Sequence, residues 1–296
     1  MSSLDKALSI LARFSAERPS LSVTEVAAEL GIPKSSVSRL MKTMADAELI
    51  TAQPGRRGYS PGPLAFRLGN LYRSQLRVMD LVDAAVVEIV ERYGLTGYVG
   101  VLNGSDVVLL GVHQGRFPIR LVLERGARVP AHVSALGQAM LSRLDEDQIA
   151  ALYPATVHYS ETGITANKKD ILERARYVRK QGYATVEGVT FRGFNAVGVA
   201  VDSAIERQCV GFSLSYPQEM LSRFNLAEII EALVESAASI GERIGDPYWI
   251  ADANARRGSR MQNGSSVVVQ ADPAKNNSPD GEDDGHSRTH DPTRRI

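Results

Sequence analysis

Cysteine is almost absent. Cys209 is the only one in the chain, which excludes an internal disulfide and any chemistry that needs a thiol pair. It lies in an apolar strand context, where a lone Cys behaves as a small hydrophobe. Histidine is scarce too. The five residues are scattered, without the spacing of a zinc site. Neither charge is in excess: 34 Lys and Arg balance 34 Asp and Glu. Any attraction to a polyanion therefore has to come from local clustering. No long apolar run opens the chain, so neither a signal peptide nor a membrane span is expected and the cytoplasm is the expected location. A Walker-type glycine loop is missing, and Ser213 and Ser215 have no Gly-x-Ser-x-Gly around them. No cofactor, metal or catalytic residue is expected from these signals.

What is present suits two modest domains, at 296 residues and 44% hydrophobic content. The most informative stretch is SVTEVAAELGIPKSSVSRLMKTMA, residues 22–45. Val26, Ala27 and Leu30 recur at helical spacing, Gly31-Ile32-Pro33 breaks the helix, and Val37, Leu40, Met41 and Met44 form the apolar face of a second one. That is the spacing of a helix-turn-helix. The opposite face of the second helix carries Lys34, Ser35, Ser38, Arg39 and Lys42. Short hydroxyls approach phosphates and base edges closely, and long cations reach phosphates or guanine acceptors. Two amphipathic helices with such a turn also occur in ordinary bundles, so the flanks matter. Leu4, Leu8 and Leu11 give a packing helix upstream. Glu48–Thr51 and Tyr59–Pro61 read as two strands around Pro54-Gly55-Arg56-Arg57-Gly58, a basic hairpin tip able to reach backbone or minor groove. Residues 1–60 hold 8 Lys and Arg against 6 Asp and Glu, a weak excess that points to binding as a dimer.

These parts, in this order, resemble the IclR family of bacterial transcription regulators. The resemblance rests on Lys6–Leu11, on Thr24-Glu25-Val26-Ala27, on Gly31–Leu40 including Ser36, and on the tip arginines followed by Tyr59-Ser60-Pro61-Gly62. The family usually has Leu where Pro61 stands, which a wing edge tolerates.

Pro63–Tyr72 reads as a linker helix with Phe66, Leu68, Leu71 and Tyr72 as apolar surface. It is either a mechanical coupling or a plain spacer. From Gln75 the pattern is helix, hairpin, helices, strands, helix. Val78–Val90 carries an apolar stripe, either core or interface. Strands are expected over Thr96–Leu102 and Asp106–Val112 around Asn103-Gly104, and at Pro118–Glu124. Helices follow over Ser134–Leu144, from Asp145, and over Asn167–Gln181. Strands come near Tyr183–Glu187, Asn195–Val201 and Gln208–Tyr216, then a helix over Leu226–Ile244. The reading is α+β: an N-terminal winged helix-turn-helix (1–62), a linker helix (63–74) and a mixed sheet flanked by helices (75–249). Residues 250–296 are rich in Asn, Ser, Asp, Gly, Pro and Arg and are expected to be a disordered tail.

Residues 75–249 resemble the effector domain of the same family, which has a GAF-like fold. The matches are Gly126–Leu141, Val178–Ala184 and Phe212-Ser213-Leu214-Ser215. On the strand alone, Ser213 and Ser215 face one side, which could be a pocket or a solvated surface. The resemblance implies that they hold an effector, with backbone donors at Ala135 and Leu136 and with Val186, Asn195 and Ala196 nearby, Phe194 also bordering the site. Family members often have an acidic cluster after Gly182-Tyr183-Ala184; here only Glu187 keeps charge, and Val186 replaces a frequent Asp. Ala196 replaces a frequent Cys. A small organic acid or related metabolite, less polar than is usual, is the implied effector.

The expected function is a ligand-responsive regulator that binds a pseudo-palindromic double-stranded operator as a homodimer or homotetramer, with no membrane partner. Thr24, Lys34, Ser35, Ser36, Ser38, Arg39, Lys42, Arg56 and Arg57 are the candidate DNA contacts. The alternative is an enzyme that uses the helix-turn-helix as an interaction module. His113, His132 and His158 could supply a base, but nothing pairs one of them with a serine.

Overall fold

A computed structural model of the chain describes residues 2–15, 18–53, 58–74, 77–121, 123–159, 164–219 and 225–262. Arg56, Arg57 and the tail from residue 263 onward lie outside the described residues.

The first helices are α1 (Ser3–Leu11), α2 (Val23–Leu30) and α3 (Lys34–Asp46), followed by β1 (Ile50–Ala52) and β2 (Tyr59–Pro61). Ser22 caps α2 by accepting from the Glu25 amide. Gly31 ends it at φ 63°, and its N–H donates to Ala27 O. A left-handed cap followed by Ile32 and Pro33 gives the tight turn that starts α3 at a new angle. Strands β1 and β2 pair antiparallel, with Ile50 opposite Pro61 and Ala52 opposite Tyr59. Leu21 exchanges two backbone hydrogen bonds of 2.9 Å with Tyr59, tying the hairpin to the segment before α2. Val26, Val37, Met41 and Ile50 are fully enclosed in the resulting core. The upstream helix contributes differently from expectation: Ile10 is its buried residue, with Ala7 and Leu11 partly buried, whereas Leu4 and Leu8 are exposed.

Helix α4 (Pro63–Ser74) begins against this unit through the Leu64 amide and Glu48 O, 3.0 Å apart. Phe66, Leu68, Leu71 and Tyr72 remain exposed. Next comes α5 (Arg77–Tyr93), joined to α4 by an Arg73–Asp83 ion pair of 2.5 Å. The remaining chain is β3 (Thr96–Asn103), β4 (Asp106–His113), β5 (Arg128–Pro130), α6 (Ala135–Leu141), α7 (Glu146–Leu152), β6 (Thr156–Tyr159), β7 (Ile164–Asn167), α8 (Lys168–Gln181), β8 (Ala184–Glu187), β9 (Phe194–Ser203), β10 (Gln208–Pro217), α9 (Leu226–Ile244) and α10 (Pro247–Gln262).

Six strands form one sheet in the order β5-β4-β3-β10-β9-β8. Every described pairing in it is antiparallel, where the sequence suggested a mixed sheet. Alternation splits β9 and β10 between two layers. Val197, Val199 and Val201 with Val210, Phe212 and Leu214 pack on α5 and α9. The Val78–Val90 stripe is part of this core. Ala196, Ala200 and Cys209 face the layer of α6 and α8. Burial pushes the Cys209 thiol up to about 12, with Asp202 adding to the shift, so it stays protonated.

The sequence misplaced three elements. Residues 118–121, 123 and 124 form no strand, and the third strand of this edge is β5. A separate hairpin, β6 with β7, was not foreseen. Helix α10 also runs through the boundary set at residue 249, so residues 250–262 are helical rather than disordered. It is anchored by Trp249, fully buried, whose Nε1 donates to Ala200 O at 2.8 Å.

Candidate functional site

The core that fixes α3 also decides which of its side chains face outward. Lys34, Ser35, Ser38, Arg39 and Lys42 are exposed, Ser36 is half-buried, and Thr24 is exposed in the first turn of α2. The nearby acids are engaged elsewhere. Glu29 accepts from Arg13 at 2.9 Å and Arg18 at 2.7 Å, and Glu25 lies 3.5 Å from Arg18. Lys34, Arg39 and Lys42 make no ion pair with any described residue, so their charge is directed at solvent. Three unpaired cations with hydroxyls between them, on one helix face, suit a polyanionic groove. Thr43 does not add to this surface, because its Oγ1 donates to Arg39 O at 3.0 Å.

The second site lies on the α6 side of the large sheet. Ser213 sits opposite Tyr98 of β3 and opposite Gly198 of β9, and Ser215 opposite Ala196. These residues therefore share one face, and they line a pocket partly open to solvent, with about 410 Å³ of empty space when its open mouth is included. Leu109, Val129, Ala135 and Leu136 close it from β4, β5 and α6. Leu121 and Leu123 come from the segment before β5, and Thr190 and Phe191 from the segment before β9. Helix α6 can come this close because β9 has Gly198. A Cβ there would stand 2.7 Å from Ala135 C and 2.9 Å from Leu136 N.

The polar atoms are few. Tyr98 Oη donates to Leu121 O, and burial holds the phenol up at about 12, Ser215 opposing the shift. Thr190 Oγ1 donates to Val133 O at 2.6 Å. Ser134 Oγ donates to Pro130 O at 3.1 Å and accepts from the Gly137 amide at 3.2 Å, which caps α6. Ser215 Oγ is buried and makes no hydrogen bond of normal geometry.

Of the residues expected at this site, Ala135, Leu136, Ala196, Ser213 and Ser215 come together. Val186 lies opposite Ala196 on the same face, but in the packed layer rather than on the pocket lining. Asn195 is a correction. It precedes Ala196 in a strand, so it points to the other face, beside Tyr216. Phe191, not Phe194, borders the pocket. Tyr98, Ser134 and Thr190 were missed. The in-register partner of Ser213 could be known only from the β3–β10 pairing, which joins residues over a hundred positions apart.

The family model described as "Bacterial transcriptional regulator IclR C-terminal" matches residues 71–242, and "IclR helix-turn-helix domain" matches residues 3–54. The chain belongs to the IclR family. It is 24% identical to the HTH-type transcriptional regulator XynR of Escherichia coli K12, over 83% of this chain and 98% of that protein. The HTH-type transcriptional regulator KdgR of Dickeya chrysanthemi is also 24% identical, over 83% of this chain and 80% of the relative. Among solved structures, an IclR transcriptional regulator from Alicyclobacillus acidocaldarius shares the fold at TM-score 0.67 and 22% identity, covering 81% and 97% of the two chains. An IclR homologue from Microbacterium hydrocarbonoxydans, complexed with 4-hydroxybenzoate, shares it at TM-score 0.70 and 15% identity, covering 82% and 99%. As an IclR protein the chain is a DNA-binding transcriptional regulator and not an enzyme, and its helix-turn-helix is a DNA module. Among the described residues, no helix is long and apolar enough to cross a membrane.

Proposed function

We propose that this IclR protein is an effector-responsive regulator that acts in the cytoplasm and reads a two-fold-related operator as a homodimer or homotetramer. Residues 1–62 read DNA, 63–74 couple, and 75–249 take up a small oxygenated metabolite. The observation that carries the reading is the outward face of α3, with Lys34, Arg39 and Lys42 unpaired over a closed core. Thr24, Ser35, Ser36, Ser38, Arg56 and Arg57 add phosphate and base contacts. Leu4 and Leu8 of α1 and Phe66, Leu68, Leu71 and Tyr72 of α4 support a second copy as partner, since exposed apolar side chains concentrated on two helices favour association. A two-fold dimer presents two α3 helices to successive half-sites. The homologue holding 4-hydroxybenzoate supports a small organic molecule as the effector. Regulation then requires that the effector bind the DNA-competent and incompetent states unequally.

Arg39→Ala tests the DNA face. Losing one cation from the groove should weaken binding to an operator recovered by selection from random duplex DNA by about 10–100-fold. The melting temperature should be unchanged, because the side chain is exposed. Equal affinity in a mobility-shift titration would remove Arg39 from the interface.

A further inference from the structure

We propose that Asp83 is the positioning residue that ties the linker helix α4 to the pocket strand β4, and so sets where the DNA-reading unit stands. This rests on the reading of residues 63–74 as the coupling segment. Little else holds α4. Its first turn is tied to the helix-turn-helix unit through the Leu64 amide. Residues 66–72 are then all exposed. Arg73 is the next half-buried residue, and its guanidinium reaches Asp83 of α5 at 2.5 Å. Helix α5 is itself closely seated on the sheet. Gly97 of β3 makes this possible, since a Cβ there would stand 2.4 Å from Val86 Cγ1 and 2.8 Å from Val90 Cγ2.

Asp83 has a second partner. Its Oδ1 accepts from His113 Nε2 at 2.8 Å, while Oδ2 accepts from Arg73. The carboxylate can lie against β4 because residue 111 is Gly, where a Cβ would stand 2.8 Å from Oδ1. His113 reaches it because β4 is bulged. Leu109 pairs with Gly100 and Gly111 with Val99, so Leu110 is the extra residue. In an unbroken strand Leu109, Gly111 and His113 would share one face. The bulge leaves Leu109 on the pocket side and turns Gly111 and His113 toward α5. Strand β4 thus carries a pocket wall on one face and the anchor of Asp83 on the other. The Asp83 and His113 side chains are only 13% and 17% exposed, so water competes weakly for their contact. Asp83 holds Arg73 in one place only while its other oxygen is anchored. A shift of β4 at the pocket therefore passes through His113 and Asp83 to the last turn of α4.

The test is hydrogen exchange of the full chain, read by mass spectrometry, with DNA binding as a second readout. His113→Phe is the decisive variant, because the hydrogen bond of His113 goes to α5 and not to α4. Arg73→Gln cuts the same chain of contacts at its exposed end, where folding is least at risk. Both should speed exchange over residues 67–73 by at least about fivefold, with the protection of α5 and β3 unchanged. Arg73→Lys keeps the charge and should stay near the parent. An α4 already unprotected in the parent would overturn the proposal. So would a change in Arg73→Gln alone, which would make the ion pair a local contact. On an inverted repeat recovered from random duplex DNA, the parent should discriminate against half-sites moved apart by one base pair. Both variants should lose at least about threefold of that discrimination; discrimination as sharp as the parent's would also overturn the positioning role. A parent that recovers no DNA removes the DNA reading alone, because the exchange result stands without it.

Discussion

Replacing Asp246 with Ala is expected to destabilise the protein by about 3–5 kcal/mol, the largest loss from any single truncation considered. Asp246 and Arg143 form an ion pair in which both side chains are almost wholly buried. The carboxylate also accepts from the Asp202 amide at 2.9 Å and from the Tyr248 amide at 3.0 Å. Arg143 in turn lies over the Tyr248 ring, 4.0 Å from its centroid. Removing Asp246 therefore leaves a buried guanidinium and two backbone donors without their acceptor. It also removes the junction between the end of α6, the edge of β9 and the start of α10. Asp246→Asn should lose less, since its amide oxygen can keep one donor. The double variant Arg143→Met, Asp246→Ala should be more stable than the sum of the single changes predicts, because no charge is then stranded. Urea unfolding followed by circular dichroism measures all of these. A loss below about 1 kcal/mol in Asp246→Ala would mean that the pair is solvated in solution.

The second large effect is expected at Gly137. In an open helix Gly→Ala gains about 1 kcal/mol. Here a Cβ would stand 2.7 Å from Ala131 C and nearer still to Ala131 Cα and O. All three are backbone atoms, so no side chain can swing away. Overpacking should outweigh propensity, for a net loss of about 1–3 kcal/mol. The first turn of α6 must move, and it carries two lining residues, Ala135 and Leu136. Ligand affinity should fall with stability. Gly69→Ala is the contrasting case: it lies in α4 with nothing within 4 Å of a new Cβ, so the propensity gain should survive. A Gly137→Ala protein as stable as its parent would contradict the tight seating of α6.

Local chemistry made much of this fold legible. Gly31, Gly182 and Gly245 cap helices in the left-handed region, and Asn103-Gly104 turns the β3–β4 hairpin as its sequence demands. Helix α9 has the bounds its apolar spacing predicts. What failed depended on partners distant in sequence. Leu121 and Leu123 alternate like a strand, yet they do so because both face the pocket. Asn195 and Ala196 were both assigned to one site, although neighbours on a strand face opposite ways. Leu4 and Leu8 have core-like spacing but remain exposed, as residues reserved for a second chain would. The DNA face was readable because a single helix carries it. The pocket was only half readable because β3, β4, β5, β9, β10 and α6 build it jointly.

Two copies of this chain are proposed to read one DNA site, and selection of random duplex DNA by the purified full chain tests this most directly. The expected result is enrichment of an inverted repeat, with half-sites about one helical turn or a multiple apart and binding that weakens as salt rises. A folded, dimer-competent protein that enriches no sequence would contradict it.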